Sequence, residues 1–359
     1  MNSVAKTVDN AVVQSLASLV AKSTGQPAAA RRTPGLWVNW EVLIASLTLA
    51  VLAYAALAVP NFLGAFNISQ AAAGIAEKAL LVLPMVLLII AREIDLSVAS
   101  TLALCSVVLG LLIQAHIPLG LAILVVLLVG AAAGALNGWM VAALGLPSLV
   151  VTLGTMALYR GVGYILLGSR SVNELPQSLT DFGLENIGAT FIPWTLLPFL
   201  LLAPLFAVVL HRTATGRRIF VLGGNPEAAQ YSGIHVRRLR WLLFTVSGLV
   251  AAIAAVVYTA RLSNARADNA LGFELDVITI VFLGGVSVFG GSGRLAGVVW
   301  ALVLVAALRN VLGLNQVSGA AQGLVIGGLL IASLLLSNIL NAALERLRLQ
   351  QLRKAVPGS

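Results

Sequence analysis

The chain has 359 residues, of which 59% are hydrophobic and only 10% charged, and a net charge of +9. Its mean hydropathy of +0.99 excludes an ordinary soluble domain, where about a quarter of residues are charged. Uncharged apolar blocks of about 17–25 residues, without period-two alternation, exclude a transmembrane β-barrel and predict an all-α, polytopic membrane protein. The basic balance does not call for nucleic acid, because cytoplasmic loops of membrane proteins collect Lys and Arg and no basic, aromatic-interleaved soluble domain is present. Cys105 is the single cysteine, and His116, His211 and His235 are scattered. Neither an internal disulfide nor a metal centre is expected.

Along the chain, residues 1–35 come first. Val4, Val8, Val12, Leu16 and Leu19 recur at helical spacing, followed by the linker-like "STGQPAAARRTPG". Gln14, Ser15 and Ser18 interrupt the unbroken apolar core that a secretory signal needs. The segment reads either as a helix lying on the inner membrane face or as a cytoplasmic tail. Ten candidate spans follow, near 41–59, 70–91, 97–114, 118–142, 148–167, 192–210, 241–260, 275–291, 296–312 and 320–340. With the N-terminus inside, sixteen Lys and Arg lie in inner segments and four (Arg170, Arg261, Arg266 and Arg309) in outer ones. That bias predicts about ten transmembrane helices with both termini cytoplasmic. Residues 36–342 form the membrane domain, and 343–359 a basic cytoplasmic tail. The longer outer segments, 168–191 and 261–274, are polar enough to meet a soluble partner or simply to connect spans.

Polar residues inside the spans are the candidates for a solute pathway, each with a plainer structural reading. Arg160 falls near the middle of a span, where a charge must be paired or hydrated; it and Tyr159 either line a pathway or bond to carboxylates and carbonyls between helices. Thr152 and Thr155, about one turn apart, and Asn137 carry the same two readings, since Thr also joins helices. Glu77 and Lys78 are adjacent and point in different directions, so one can face the pathway while the other reaches the outer interface. Asp95 is expected to cap the third span. The glycines Gly284, Gly285, Gly290, Gly291 and Gly293 permit close packing or a break near the inner face.

The inner loop 211–240 carries six arginines. Within it Asn225 is a strong N-cap residue, Pro226 suits the first helical position, and Glu227 sits where its charge favours the helix dipole. Ala228, Ala229 and Gln230 are good helix formers and Gly233 supplies a left-handed stop. Two turns are marginal alone in water, so this helix rests either on the protein's own inner face or on a cytoplasmic partner.

"EAAQYSG" resembles the E-A-A-x-x-x-G core of the loop by which permease subunits of bacterial ABC importers engage their ATPases. The usual continuation with Leu-Pro is missing, as in the sugar branch of the ribose permease type. The stretch "TGRRIFVLGGNPEAAQYSGI" is similar to that branch's loop, with a Gly-Arg pair, here Gly216–Arg217, ahead of Gly-Asn. "EIDLSVAS", "ALNGWMVAALGLPSLVVTLGTMALYRG" and "VITIVFLGGVSVFGGSG" resemble further segments in the same order, so the resemblance covers roughly residues 60–335. Glu93 and Ala99 replace glycines of the branch's pattern. The Glu-Lys pair and the glycine-rich run look most like permeases for rhamnose, with autoinducer-2 permeases second and ribose or another pentose also possible within the branch.

The resemblance implies a bacterial inner-membrane permease working with a cytoplasmic ABC ATPase, a periplasmic sugar-binding protein and a second permease subunit. It implies ATPase contact through Gly216, Arg217, Asn225, Pro226, Glu227, Ala228, Ala229 and Gly233. ATP and Mg would then sit on the ATPase. This chain's four lysines, Lys6, Lys22, Lys78 and Lys354, never follow a glycine, so it has no phosphate-binding Gly-Lys pair of its own and is not expected to be an enzyme. The competing class is an ion-coupled secondary transporter, for which Glu77 would be the mid-span acid.

Overall fold

The computed structural model describes residues 40–332 and residue 335; the readings made for 1–35 and 343–359 lie outside the described residues. Among the described residues the regular elements are helices, joined by two isolated β-bridges, Val172–Ala265 and Asn186–Pro193. Helices α1 (Trp40–Ala58), α2 (Ala65–Ile90), α3 (Val98–Gln114), α4 (Leu119–Ala142) and α5 (Ser148–Leu167) come first. A short helix, α6 (Gln177–Leu184), and a 3-10 turn (Trp194–Leu196) lead into α7 (Leu197–Arg212). The arginine-rich segment folds as α8 (Ala214–Gly224) and α9 (Pro226–Tyr231), followed by α10 (Val236–Leu262), α11 (Phe273–Leu283), α12 (Leu295–Leu314) and α13 (Gly319–Ala332).

Seven helices are long and apolar enough to cross a membrane: α1, α2, α4, α5, α7 with its 3-10 turn, α10 and α12. α3 and the described part of α13 are shorter apolar helices. These nine coincide with nine of the ten predicted spans. The eighth differs, because α11 stops after 11 residues at Leu283. A Cβ on Gly284 would stand 2.7 Å from the backbone nitrogen of Val298, and Gly285 takes φ +86°. The chain therefore presses against α12 and then turns by a left-handed step that side chains disfavour, so the helix cannot continue through 284–291.

α2 is the hub. Every residue from Ile75 to Ile90 is buried, as expected of a helix that is apolar on all sides. Its Pro84 removes one backbone hydrogen bond in mid-helix. α10 is the second most buried long helix and makes the most extensive contact in the molecule, with α4. Gly130, Gly134 and Gly138, four residues apart on α4, meet Phe244, Gly248 and Ala252 of α10. A Cβ on Gly134 would run into the Phe244 carbonyl, and one on Gly248 would lie 2.7 Å from the Gly134 nitrogen. Apolar side chains gain little by leaving lipid for another helix, so close backbone approach of this kind is what holds membrane helices together.

Candidate functional site

The arginine-rich segment is built from short helices with local starts and stops. Thr213 caps α8 by accepting from Gly216 N at 3.3 Å. Ile219, Leu222, Gly216 and Gly223 form the buried stripe of α8. The Asn225 carboxamide oxygen accepts from Glu227 N (3.0 Å) and Ala228 N (3.1 Å), and Pro226 takes the first helical position. At the other end Gly233 has φ +79° and Ile234 N donates back to Ala229 O at 3.1 Å. Only Ala229 of α9 is buried, whereas Glu227, Ala228 and Gln230 are exposed and Tyr231 is 92% exposed. One small anchor and an open polar-aromatic face make α9 a surface that a partner can cover.

Behind α9 the contacts are backbone on backbone. A Cβ on Gly223 would overlap the Ile90 carbonyl at the end of α2, and one on Gly291 would stand 2.9 Å from the Gly224 nitrogen. Gly291 N donates to Ile90 O at 2.8 Å. Arg92, at φ +65°, holds a left-handed conformation that costs a residue with a Cβ about 1–2 kcal/mol. Its guanidinium donates to Phe289 O (2.6 Å) and Gly224 O (3.2 Å). Glu93, buried, pairs with Arg240 of α10 at 2.6 Å.

Next to this junction lies a buried chain of polar groups. Asp95 Oδ1 accepts from Ser97 N and Ser97 Oγ (3.0 and 2.6 Å), and Oδ2 accepts from Ser247 Oγ of α10 at 2.8 Å. Asn137 donates to Ser97 Oγ at 2.8 Å, and the Tyr159 hydroxyl donates to Ala133 O (2.9 Å) and lies 3.1 Å from Asn137 Oδ1. Asp95 is not the expected cap: the residue before α3 is Ser97, no side chain accepts from the first-turn amides, and the carboxylate instead holds Ser97 and ties that turn to Ser247 of α10. A second chain, Thr259–Ser106–Asn269, joins α10, α3 and the segment after α10.

Farther from α9 the charges gather. Arg261 reaches Glu77 at 2.6 Å, and Glu77 is fully buried. Asp276 at the start of α11 takes Lys78 at 2.7 Å and Arg309 at 2.8 Å, with Lys78 also 4.3 Å over the Phe273 ring. In the connection between α10 and α11, the hydrogen bonds from Arg266 hold Asp268 below the usual carboxylate range.

The residues singled out as pathway candidates are all in protein contacts. Glu77 does not face an opening; it is fully buried and paired with Arg261. Lys78 binds Asp276 instead of reaching outward. Thr152 donates to Ile94 O (3.2 Å) and Ser148 O (2.8 Å), and Thr155 to Val151 O (3.0 Å). Arg160 donates to the carbonyls of Ala267 and Asn269 at 2.8 and 2.6 Å, the second of its two expected arrangements. In the arginine-rich segment, Gly216 is buried with its Cα against the Leu210 carbonyl, which makes it a packing position, while Arg217 is exposed. Sequence reasoning missed α8, whose stripe at 216, 219, 222 and 223 was readable at helical spacing. It also missed the four-residue glycine spacing on α4 and the serines 97, 106 and 247, which no local pattern distinguishes. Arg309, counted with the outer segments, lies inside α12, where Asp276 takes its charge.

A buried central helix among membrane-length helices, with a capped helix exposed on one face, is the build of a multi-pass helical membrane protein. The family model described as the permease component of branched-chain amino acid transport systems matches residues 67–334. The chain belongs to this family. Curated relatives include the autoinducer 2 import system permease protein LsrD of Photorhabdus luminescens and of Salmonella typhimurium, each 34% identical over 298 residues, covering 80% of this chain and 89% of the relative. The LsrD protein of Escherichia coli O9:H4 is 34% identical over 299 residues, covering 80% and 90%. No solved structure matches the chain.

Proposed function

We propose that the chain is the membrane-spanning subunit of an ATP-binding-cassette importer, with an ATPase docking on 211–240, a second permease subunit beside it and a periplasmic binding protein delivering the solute. ATP and Mg would be held by the ATPase. The observation that carries this reading is α9: a side-chain-capped, glycine-stopped helix of six residues, anchored by Ala229 alone and otherwise exposed. Helices this short are not stable by themselves, and the face it presents has no other evident use in a membrane protein. The buried pairing of Glu77 with Arg261 weighs against the ion-coupled alternative, since the acid that would bind the coupling ion already has its cation.

For the solute we propose a small polyhydroxylated molecule, with autoinducer-2 ahead of rhamnose and ribose. The names of the relatives support that order and reverse the preference for rhamnose drawn from the Glu-Lys pair and the glycine-rich run. Asn137, Thr152, Thr155, Tyr159 and Arg160 are proposed to meet it in an open state, exchanging protein partners for solute hydroxyls of the same hydrogen-bonding character. The docking reading is tested by co-purifying the ATPase with the wild-type chain and with a Glu227→Lys, Gly233→Val double variant. Loss of the ATPase from a variant that still inserts supports it; equal recovery refutes it. Uptake of labelled autoinducer-2, rhamnose and ribose into vesicles holding the full complex decides the solute, and uptake on an ion gradient without the ATPase would refute the whole assignment.

A further inference from the structure

Six consecutive residues, Arg92–Ser97, link the end of α8 to α4, α5, α10 and the glycine-rich turn. Arg92 bonds to Gly224 at the end of α8 and to Phe289 in the glycine-rich turn. Glu93 pairs with Arg240 on α10. Ile94 donates to Ser148 Oγ at 3.3 Å and accepts from Thr152 at 3.2 Å, both on α5. Asp95 accepts from Ser247 on α10, and Ser97 accepts from Asn137 on α4. Just before the connector, α8 meets α2 with the Gly223 Cα against the Ile90 carbonyl and no side chain between.

We propose that Arg92–Ser97 is the joint through which movement of α9 reaches the spanning helices, with Arg92 and Glu93 as positioning residues for transport. The proposal rests on the docking reading of α9. Its physical basis is stiffness. Backbone pressed on backbone leaves no soft side chain to absorb a displacement, and close-packed interiors pass strain on. A push on α8 therefore moves Ile90, and with it the connector. Arg92 gives the α8 end and the glycine-rich turn a common hold, so the two shift together. The Glu93–Arg240 pair then hands the movement to α10, whose glycine contact carries α4 with it.

The test uses the full complex, with ATPase, second permease subunit and binding protein, in liposomes, and reads labelled autoinducer-2 imported per ATP hydrolysed. Arg92→Gly suits the left-handed backbone at that position while removing both side-chain bonds, so the fold is kept. In Arg92→Gly and in Glu93→Gln the ATPase stays bound and hydrolysis continues, but import per ATP falls about tenfold, the size of an ordinary coupling between sites. The swapped pair, Glu93→Arg with Arg240→Glu, restores most of it, which assigns the loss to the pair and not to either side chain alone, while bound, hydrolysing ATPase excludes a merely structural failure. Unchanged import per ATP in Arg92→Gly, or a swapped pair as uncoupled as Glu93→Gln, overturns the joint while leaving ATPase docking intact. If the ATPase does not bind the wild-type chain at all, the docking reading fails, and the joint with it.

Discussion

Helix α9 and the charge cluster around Asp276 are both polar patches in an apolar protein, and they are built in opposite ways. α9 is local: its cap, first-turn proline and terminal glycine lie within nine residues, its partners are backbone groups of its own turn, and most of its side chains are exposed. The cluster is assembled from residues as far apart as Glu77 and Arg309, drawn from α2, α10, α11 and α12; Asp276 takes Lys78 and Arg309, and beside it Glu77, with no exposure at all, takes Arg261. The first arrangement is cheap to disturb and free to engage another protein. In the second, loss of Arg261 strands the buried Glu77 and loss of Asp276 strands the buried Lys78.

That contrast sets the order of expected effects. Arg261→Ala strands Glu77 and destabilises the protein by about 3–5 kcal/mol, read as loss of folded protein in a detergent melting curve. Replacing both partners, Glu77→Met with Arg261→Met, recovers most of the loss; a single variant as stable as the parent would show that the pair is not a buried one. Gly134→Ala probes a long-range contact without charge. Its Cβ meets the Phe244 carbonyl, and such overpacking costs about 1–3 kcal/mol in the same assay. Asn225→Ala removes a cap worth about 1 kcal/mol. Because α9 is local, the melting temperature stays put while ATPase affinity, measured by titration onto the permease, weakens about fivefold. A fall in melting temperature without a change in affinity would erase the distinction between the two regions.

The smallest effect belongs to Asp268, a partly exposed acid whose pair with Arg266 is also local. Asp268→Asn leaves the melting temperature at neutral pH indistinguishable from wild type, as for most surface pairs. Its carboxyl is held below the usual range, so any contribution is complete above the ordinary carboxylate pKa and is lost as pH falls through the lowered one. A difference between the two proteins that grows on acidification would contradict this.

The same divide explains what the sequence revealed. Nine apolar helices, seven of them of membrane-spanning length, were legible because length and hydropathy are local properties, and α9 because caps are. The eighth span was drawn too long although its glycines signalled a break: Gly285 turns left-handed, and how tightly Gly284 meets Val298 of another helix is visible only in the fold. Asp95 looked like a cap for the same reason: Ser97 is two residues away, but Ser247 is 152 away, and only folding brings it within 2.8 Å. Glu77 and Arg160 drew attention correctly as charges inside spans, yet their partners, Arg261 and the carbonyls of Ala267 and Asn269, come from the stretch around the end of α10.

One further consequence follows from α10. Arg240 near its start is clamped to Glu93 and Arg261 at its end to Glu77, about 32 Å apart at 1.5 Å per residue. Both acids belong to the stretch formed by α2 and the turn just past it. Two struts riveted at both ends cannot slide along each other; they can only tilt or swing as one beam. Whatever opens a passage in this protein must therefore hinge around that beam, at the seams α2 shares with α7, α11 and α12, and not within it.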